Sequence, residues 1–322
     1  MEPICEGFRP GDGKPCVNSV DSKGDFCDLP SMFRCIEYIR RKEIRLSYSS
    51  CRDFTTCKRK FWWSYIAGIE PIDLPLPMML GRILSDHLDN IHNKKPYDLG
   101  WDYNWARHKK DDDGNMWPQF HALRGLIKGY IEKYGEMKGD TQFHFDWVED
   151  GYPRLHGFID LKYLKTMDYE FKYTSRQEAY TKFAVQDQLG TYFLGDKEAE
   201  RITVRAILMP QLRQGKNESP LEYEERVYQD FLARPKFYVK DMNYWREEFN
   251  YFELKTKVQM IANDIIRYLE LGGIEAFYQS NGPSTCYGDT TGKATSNCAY
   301  LDICVNGVVS EQIYRKRSSK RE

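Results

Sequence analysis

The chain has 322 residues, enough for one large domain with appendages or for two modest domains. Its 47 Lys and Arg residues against 48 Asp and Glu residues leave a net charge of −1, which excludes nucleic-acid binding by overall charge alone. No stretch approaches the ~18–20 apolar residues of a membrane span, and the N-terminus has no secretory signal pattern, so we expect a soluble cytoplasmic protein without a membrane partner.

Residues 1–44 form a cysteine-rich segment with abundant Gly, Pro and Asp and little periodicity, so they cannot build a core alone. Disulfides are rare in a reducing cytoplasm, which makes metal binding the better interpretation of clustered cysteines. Four thiolates suit tetrahedral zinc, although no C-x-x-C pair is present. We expect a zinc-binding N-terminal module, with a mixture of buried and free thiols as the alternative. Its candidate ligands are Cys5, Cys16, Cys27 and Cys35.

Residues 45–135 are predicted to be a helical region. Apolar residues recur there at helical spacing, and Ser47 or Ser49 is a candidate N-cap of the first helix. The stretch 93–118 has a loop-like composition. The predicted helices cover residues 47–67, 81–92 and 119–134.

Residues 136–235 change to a period of two, which is typical of half-buried strands. We expect an α/β fold with a mixed central sheet of about four or five strands flanked by helices. A long helix over 241–271, a second cysteine group and a basic tail complete the C-terminal region, residues 236–322. The predicted strands cover residues 143–147, 155–163, 167–173, 202–209 and 221–230, with a helix at 183–194.

The chemistry concentrates in the central strands. Asp160 lies within one apolar strand pattern, and Glu170 and Lys172 lie within the next. Residues two apart on a strand point to the same face, and Asp160 can meet them from the neighbouring strand. Two carboxylates and an ammonium on one face are costly unless they hold a cation, and hard oxygen ligands favour Mg²⁺ or Mn²⁺.

These residue types predict phosphodiester hydrolysis. A metal held by the two carboxylates polarises a phosphate and lowers the pKa of its bound water. The lysine positions that water and stabilises the charge that grows on the phosphoryl group. The alternative is an ordinary Glu/Lys pair on a surface strand.

These motifs resemble the PD-(D/E)XK nuclease superfamily, specifically its RecB-like exonuclease branch with the CRISPR-associated and helicase-fused nucleases. That branch carries G-x-I/V-D on one strand, E/D-x-K on the next and Q-x-x-x-Y on a following helix. The matching stretches here are Gly157 to Asp160, Glu170 to Lys172 and Gln188 to Tyr192. The resemblance implies that Gln188 and Tyr192 face the metal site and help to position DNA.

The same branch has an N-terminal element that matches Ser47, Ser49, Cys57 and Phe61, followed by a helix with G-x-x-x-H whose histidine ligates the metal. Ser85 occupies the position four residues after Gly81, and His87 follows two residues later. Two residues rotate a helical side chain by about 200°. The resemblance therefore leaves two options, which are His87 as the ligand in a different register or loss of this ligand.

Many nucleases of this branch carry an iron–sulfur cluster, with one cysteine before the nuclease core and three after it. The resemblance implies a [4Fe–4S] cluster on four thiolates. The gap from Cys286 to Cys298 is longer than usual for the branch, so zinc or a set that includes Cys51 stays open. The candidate ligands are Cys57, Cys286, Cys298 and Cys304.

The expected partner is DNA, as a single strand or a duplex end, in DNA recombination or repair. Residues 288–294 look like a phosphate-binding loop but are one residue short and have Ala294 in place of Ser or Thr. No helicase motor is therefore expected in this chain, and an unwinding or recombination protein would be a separate partner. The alternatives are an inactive metal-stapled DNA-binding or scaffold protein on the same fold, and a metal enzyme that acts on another substrate.

Overall fold

The computed structural model describes residues 45–72, 76–93, 118–271, 274–277, 298–306 and 309–316. Three groups from the sequence analysis lie outside these ranges, namely the four N-terminal cysteines Cys5, Cys16, Cys27 and Cys35, the C-terminal Cys286, and the glycine-containing stretch 288–294. Within the described ranges, no helix combines the length and apolar character needed to cross a membrane.

The described residues contain nine α-helices and eight strands. Helices α1 to α9 span Tyr48–Thr56, Lys58–Phe61, Leu76–His92, Pro118–Tyr134, Lys182–Gly195, Pro220–Ala233, Pro235–Tyr238, Tyr251–Glu270 and Leu301–Asn306. Strands β1 to β8 span Arg45–Leu46, Ile69–Pro71, Asp140–Trp147, Arg154–Leu164, Met167–Thr174, Arg201–Leu208, Val239–Trp245 and Tyr314–Lys316. A π-helical segment, Trp62–Ile66, directly follows α2.

The chain forms two compact units. The first unit comprises Met1–Pro75, Asp146–His156 and Tyr251–Glu322, and the second comprises Leu76–Phe145 and Gly157–Asn250. The four consecutive segments expected from the sequence remain a prediction.

The second unit is built on paired strands in the order β4-β5-β6-β7, with β3 also paired to β4. The β4–β5 and β6–β7 pairs are antiparallel, whereas β5 and β6 run parallel along eight residue pairs from Met167↔Arg201 to Thr174↔Leu208. Six consecutive residues of β6 are buried, as expected of a central strand covered on both faces. The α/β class with a mixed central sheet is therefore confirmed.

Helices α4 and α6 of the second unit pack closely because glycines on α4 leave room for α6. A Cβ atom added at Gly125 would lie 2.3 Å from the carbonyl oxygen of Glu224, and one at Gly129 would lie 2.7 Å from the Phe231 ring. The two glycines are four residues apart and so lie on the same helix face. This close approach explains why α4 tolerates two residues that weaken an isolated helix.

In the first unit, a capping box starts α1. The Ser47 side chain accepts a hydrogen bond from the Ser50 backbone N–H at 3.2 Å, and Ser50 Oγ accepts one from the Ser47 N–H at 2.8 Å. The predicted Ser47 cap is therefore confirmed. Helix α1 carries Phe54, whose ring centroid lies 5.9 Å from that of Tyr268 on α8. The first unit also contains the parallel pair of β1 with the start of β4 and the antiparallel pair of β2 with β8.

Three expectations about the elements were wrong. Residues 221–230 form helix α6 rather than a strand, because Ser219 and Glu222 make a capping box and Pro220 fits the first turn. The helix predicted from residue 241 begins at Tyr251, and the residues before it form β7. The sheet has six strands among the described residues rather than four or five.

Candidate active site

The central site lies in the second unit, where β4 and β5 separate. Their last regular pair at this end is Leu161↔Tyr169. At the next position the Asp160 carboxylate, rather than a backbone carbonyl, accepts the Phe171 backbone N–H at 2.8 Å. The regular ladder therefore ends at Asp160, whose carboxylate lies close enough to Glu170 for the two charges to interact.

Glu170 is the most enclosed member of the site, with 4% of its surface exposed. Its Oε1 accepts a hydrogen bond from Gln188 Nε2 at 2.8 Å and a short one from Lys172 Nζ. Its Oε2 is buried and accepts no hydrogen bond from the described part of the chain. A buried carboxylate oxygen without a donor is costly, so this atom is suited to a cation ligand.

The site contains two carboxylates, those of Asp160 and Glu170, beside a single ammonium group, that of Lys172. Burial, followed by the Glu170 carboxylate, raises the pKa of Asp160 well above its ordinary value. Burial lowers the pKa of Lys172, but the Glu170 and Asp160 carboxylates outweigh this effect and leave it raised. The lysine therefore stays charged, and a divalent cation would favour the ionised form of Asp160.

Helix α5 brings Gln188 and Tyr192 to the same site. These residues are four apart, which places them on one helix face, and Gln188 Nε2 donates to Tyr192 Oη at 2.8 Å. The same amide nitrogen donates to Glu170, so the glutamine ties α5 to β5 at the carboxylate. Burial first, and then the Glu170 and Asp160 charges, raise the pKa of Tyr192, which keeps its phenol protonated.

His87 is fully buried on α3, the helix that packs against β5. Across the residues with described positions, no group of three or more His, Cys, Asp and Glu side chains is arranged to hold a metal ion. The structure thus brings Asp160, Glu170, Lys172, Gln188 and Tyr192 together but does not join His87 to the two carboxylates as a three-residue ligand set. The ligand role of His87 remains a prediction.

His92, the later histidine of α3, is held in a structural position. Its Nδ1 accepts the Met137 backbone N–H at 3.0 Å, and its ring stacks on Phe171 with centroids 5.6 Å apart. Burial, followed by the Arg205 charge, lowers its pKa to about 4. His92 is therefore a neutral residue of the interior at neutral pH.

Two acidic residues near the site were missed in the sequence analysis. Asp89 on α3 lies close enough to Asp160 for its charge to contribute to the raised pKa there. Asp168 precedes Glu170 by two residues on β5, and burial followed by the Asp196 charge raises its pKa to about 7. Asp168 could have been predicted from the sequence, because it lies two residues from Glu170 on the same strand and so on the same face. Asp89 could not, because its position depends on how α3 packs.

Three of the candidate cluster cysteines lie in the first unit, but the described residues contain no group of three or more His, Cys, Asp and Glu side chains arranged to hold a metal ion. Cys57 ends α1 in an extended conformation and is 6% exposed. Burial is the main cause of the raised pKa values of Cys298 and Cys304, and nearby thiol charges add to it, including that of Cys57 for both residues. All three are free thiols, as is Cys51.

Comparison with known proteins identifies one family. The family model described as the PD-(D/E)XK nuclease superfamily matches residues 45–304, more than half of the chain. A search of curated proteins finds no match.

Two solved structures show distant similarity. A candidate exonuclease from Eubacterium rectale is 11% identical, with 83% of this chain and 89% of that chain covered and a TM-score of 0.44. A phage-related exonuclease from Haemophilus somnus 129PT is 12% identical, with 72% and 96% covered and a TM-score of 0.32. The identities and TM-scores are too low to transfer properties of either structure to this chain.

Proposed function

Because this chain belongs to the PD-(D/E)XK nuclease superfamily, we propose that it is a metal-dependent deoxyribonuclease with Asp160, Glu170 and Lys172 at its catalytic centre. Nucleases of this superfamily generally use Mg²⁺ or Mn²⁺. The observation that carries the proposal is the buried Glu170 carboxylate, which has one oxygen without a donor and lies beside a second carboxylate and a lysine.

The donor set fits a hard divalent cation. Asp160 and Glu170 would hold it through carboxylate oxygens, which Mg²⁺ and Mn²⁺ prefer. A bound cation supplies Lewis acidity and a more acidic water at neutral pH. His87 on the neighbouring helix is proposed as a further ligand, as the resemblance to RecB-like nucleases implies.

The protein side chains have separate tasks in this proposal. Lys172 keeps its positive charge next to Glu170 and stabilises the negative charge that develops on the phosphoryl oxygens. Gln188 holds the Glu170 carboxylate and the Tyr192 hydroxyl together, which fixes the orientation of the carboxylate. Tyr192, with its protonated phenol, can donate a hydrogen bond to a DNA phosphate.

We further propose exonuclease action on single strands or duplex ends, which rests on the resemblance to the RecB-like branch. A separate helicase or recombination protein is proposed as the source of unwound DNA.

The cysteines are proposed to hold a second, structural metal group. Cys57, Cys298 and Cys304, together with Cys286, have the thiol count of an iron–sulfur cluster. This proposal rests on the resemblance to the RecB-like branch, since the three described thiols do not form a metal-holding group by themselves. Zinc is the alternative occupant. Zinc binding by Cys5, Cys16, Cys27 and Cys35 stays a prediction from the sequence.

A nuclease assay with labelled DNA tests the catalytic proposal. Single-stranded, blunt duplex and circular DNA would be incubated with the full chain in Mn²⁺, Mg²⁺ or EDTA. We expect cleavage with Mn²⁺ or Mg²⁺, loss of cleavage in EDTA, and no cutting of circular DNA if the enzyme requires an end. DNA binding without cleavage under every metal condition would contradict the proposal and favour the inactive scaffold.

A further inference from the structure

Phe158 is an aromatic residue that the fold leaves partly exposed beside Asp160. It lies two residues before Asp160 on β4, and a strand rise of about 3.3 Å per residue puts their Cα atoms roughly 7 Å apart. Phe158 is a large hydrophobic residue with 38% of its surface exposed. An apolar ring is therefore accessible within one nucleotide's reach of the candidate catalytic centre.

The ring of Phe158 has a second accessible aromatic ring next to it. His144 on the paired strand β3 is exposed, and its ring centroid lies 5.0 Å from that of Phe158 with the planes at 51°. The two rings together present an exposed aromatic surface next to the middle of β4, two residues from Asp160.

Single exposed hydrophobic residues are common, so exposure alone selects nothing. Other exposed aromatic residues of the second unit serve as a comparison. The Arg234 guanidinium lies 4.6 Å from the ring centroid of Phe237, and the Arg201 guanidinium lies 5.5 Å from the ring centroid of Trp245. These rings have cationic partners within the protein, whereas the exposed Phe158 lies two residues from Asp160 and beside the exposed His144 ring.

We propose that Phe158 and His144 form a base-stacking step that positions the DNA strand for cleavage at Asp160 and Glu170. This inference rests on the proposed nuclease function and adds the part of the substrate that is recognised, an unpaired nucleobase. Stacking accepts every base because each base has a π-face, so the step favours unpaired DNA without sequence preference. Phe158 and His144 are positioning residues that do not take part in the chemistry.

A substrate that lacks bases tests this role. Wild-type protein and the Phe158→Ala, Phe158→Leu and Phe158→Trp variants would cut a labelled single strand in Mn²⁺. The strand would be either intact or built with a run of abasic sites across the cleavage region. We expect the wild type to show a roughly tenfold lower KM for intact DNA, since only the intact strand offers bases for stacking. The Ala and Leu variants should lose this preference with little change in kcat, and Trp should retain it.

Phe237→Ala is the matched control because it removes an exposed phenylalanine from a short helix before β7, three strands away from β4. It should behave as the wild type does. Phe158→Ala and Phe158→Leu variants that retain the wild-type preference for intact DNA would overturn the inference. A wild type that cuts both strands equally would also overturn it while leaving the nuclease function intact. Absence of any cleavage would instead remove the proposed function, and the stacking role with it.

Discussion

Glu170 shows how one residue links the fold to the proposed chemistry. Its side chain is almost fully buried, yet only one of its two oxygens accepts hydrogen bonds from the described residues. An interior optimised only for stability would satisfy both oxygens or replace the glutamate by an apolar residue. The arrangement is therefore best explained by a ligand that the carboxylate receives from outside the chain.

The buried His92 predicts that the stability of the fold depends on pH. Its folded-state pKa of about 4 lies below the ordinary histidine value of 6.5, so the folded protein binds this proton less readily than the unfolded chain. Its contribution to stability is present above pH 6.5 and is lost as the pH falls towards 4, with an upper bound of about 3 kcal/mol. Urea unfolding at several pH values should show this loss.

The matched variant for that measurement is His92→Asn, which keeps a hydrogen-bond acceptor near Nδ1 for the Met137 N–H but cannot titrate. Its unfolding free energy should change less than that of the wild type between pH 6.5 and 4. Equal pH dependence in the two proteins would mean that His92 does not titrate as its buried position requires.

At this scale, the sequence predicted residues whose spacing follows from strand geometry. Glu170 and Lys172 are two apart on one strand and do make contact, and Gln188 and Tyr192 are four apart on one helix and do make contact. Asp89 could not be found in this way, because its distance from Asp160 depends on the packing of a helix. The same limit left the role of His87 open.

At the scale of elements, the α4–α6 pair depends on glycine. Because the Gly125 position faces a backbone carbonyl of α6 rather than a flexible side chain, Gly125→Ala must separate the helices. We expect a loss of about 1–3 kcal/mol in unfolding free energy, as for other overpacked interiors. Thermal or urea unfolding measures it.

Gly81→Ala on α3 is the control for this prediction. A Cβ atom there would lie 4.0 Å from Tyr173 Cβ, an ordinary contact, so the better helix propensity of alanine should dominate. This variant should be unchanged or more stable by up to about 1 kcal/mol. A destabilised Gly81→Ala together with an unchanged Gly125→Ala would contradict the packing argument.

The elements that were predicted wrongly fail for identifiable physical reasons. Helix α6 has Tyr223, Val227 and Phe231 at intervals of four on its buried face, together with a capping box, so the sequence held a helix signal that the strand interpretation overlooked. Strand β7 has an irregular burial pattern at the end of the paired strands, so its period of two was hidden. Strands β4, β5 and β6 were predicted well because their apolar residues reflect burial within the sheet.

At the scale of the whole molecule, the first unit collects three separate stretches of chain, and it contains both Cys57 and Cys304. A metal group shared by these residues would close a loop that includes the entire second unit in sequence. Closing so long a loop lowers the entropy of the unfolded chain, so the metal should contribute strongly to stability.

The corresponding prediction concerns colour and metal content. Protein purified without oxygen should contain iron and absorb broadly near ~400 nm, as thiolate-bound clusters do. Cys57→Ser should lose this absorbance and become sensitive to protease. Cys5→Ser should keep the absorbance and lower the zinc content. A colourless wild-type preparation with zinc and without iron would overturn the iron–sulfur proposal and leave the nuclease proposal in place.

The central claim is tested most directly by the cleavage rate of Glu170→Gln on labelled DNA in Mn²⁺. The substitution keeps the size of the side chain and removes the charge that would hold the cation. The control is Glu178→Gln, the same change at an exposed position a few residues later on the chain. With both variants folded by circular dichroism, Glu170→Gln should fall to the background of protein-free DNA while Glu178→Gln cuts at the wild-type rate. Wild-type cleavage by Glu170→Gln would contradict the assignment of the catalytic centre.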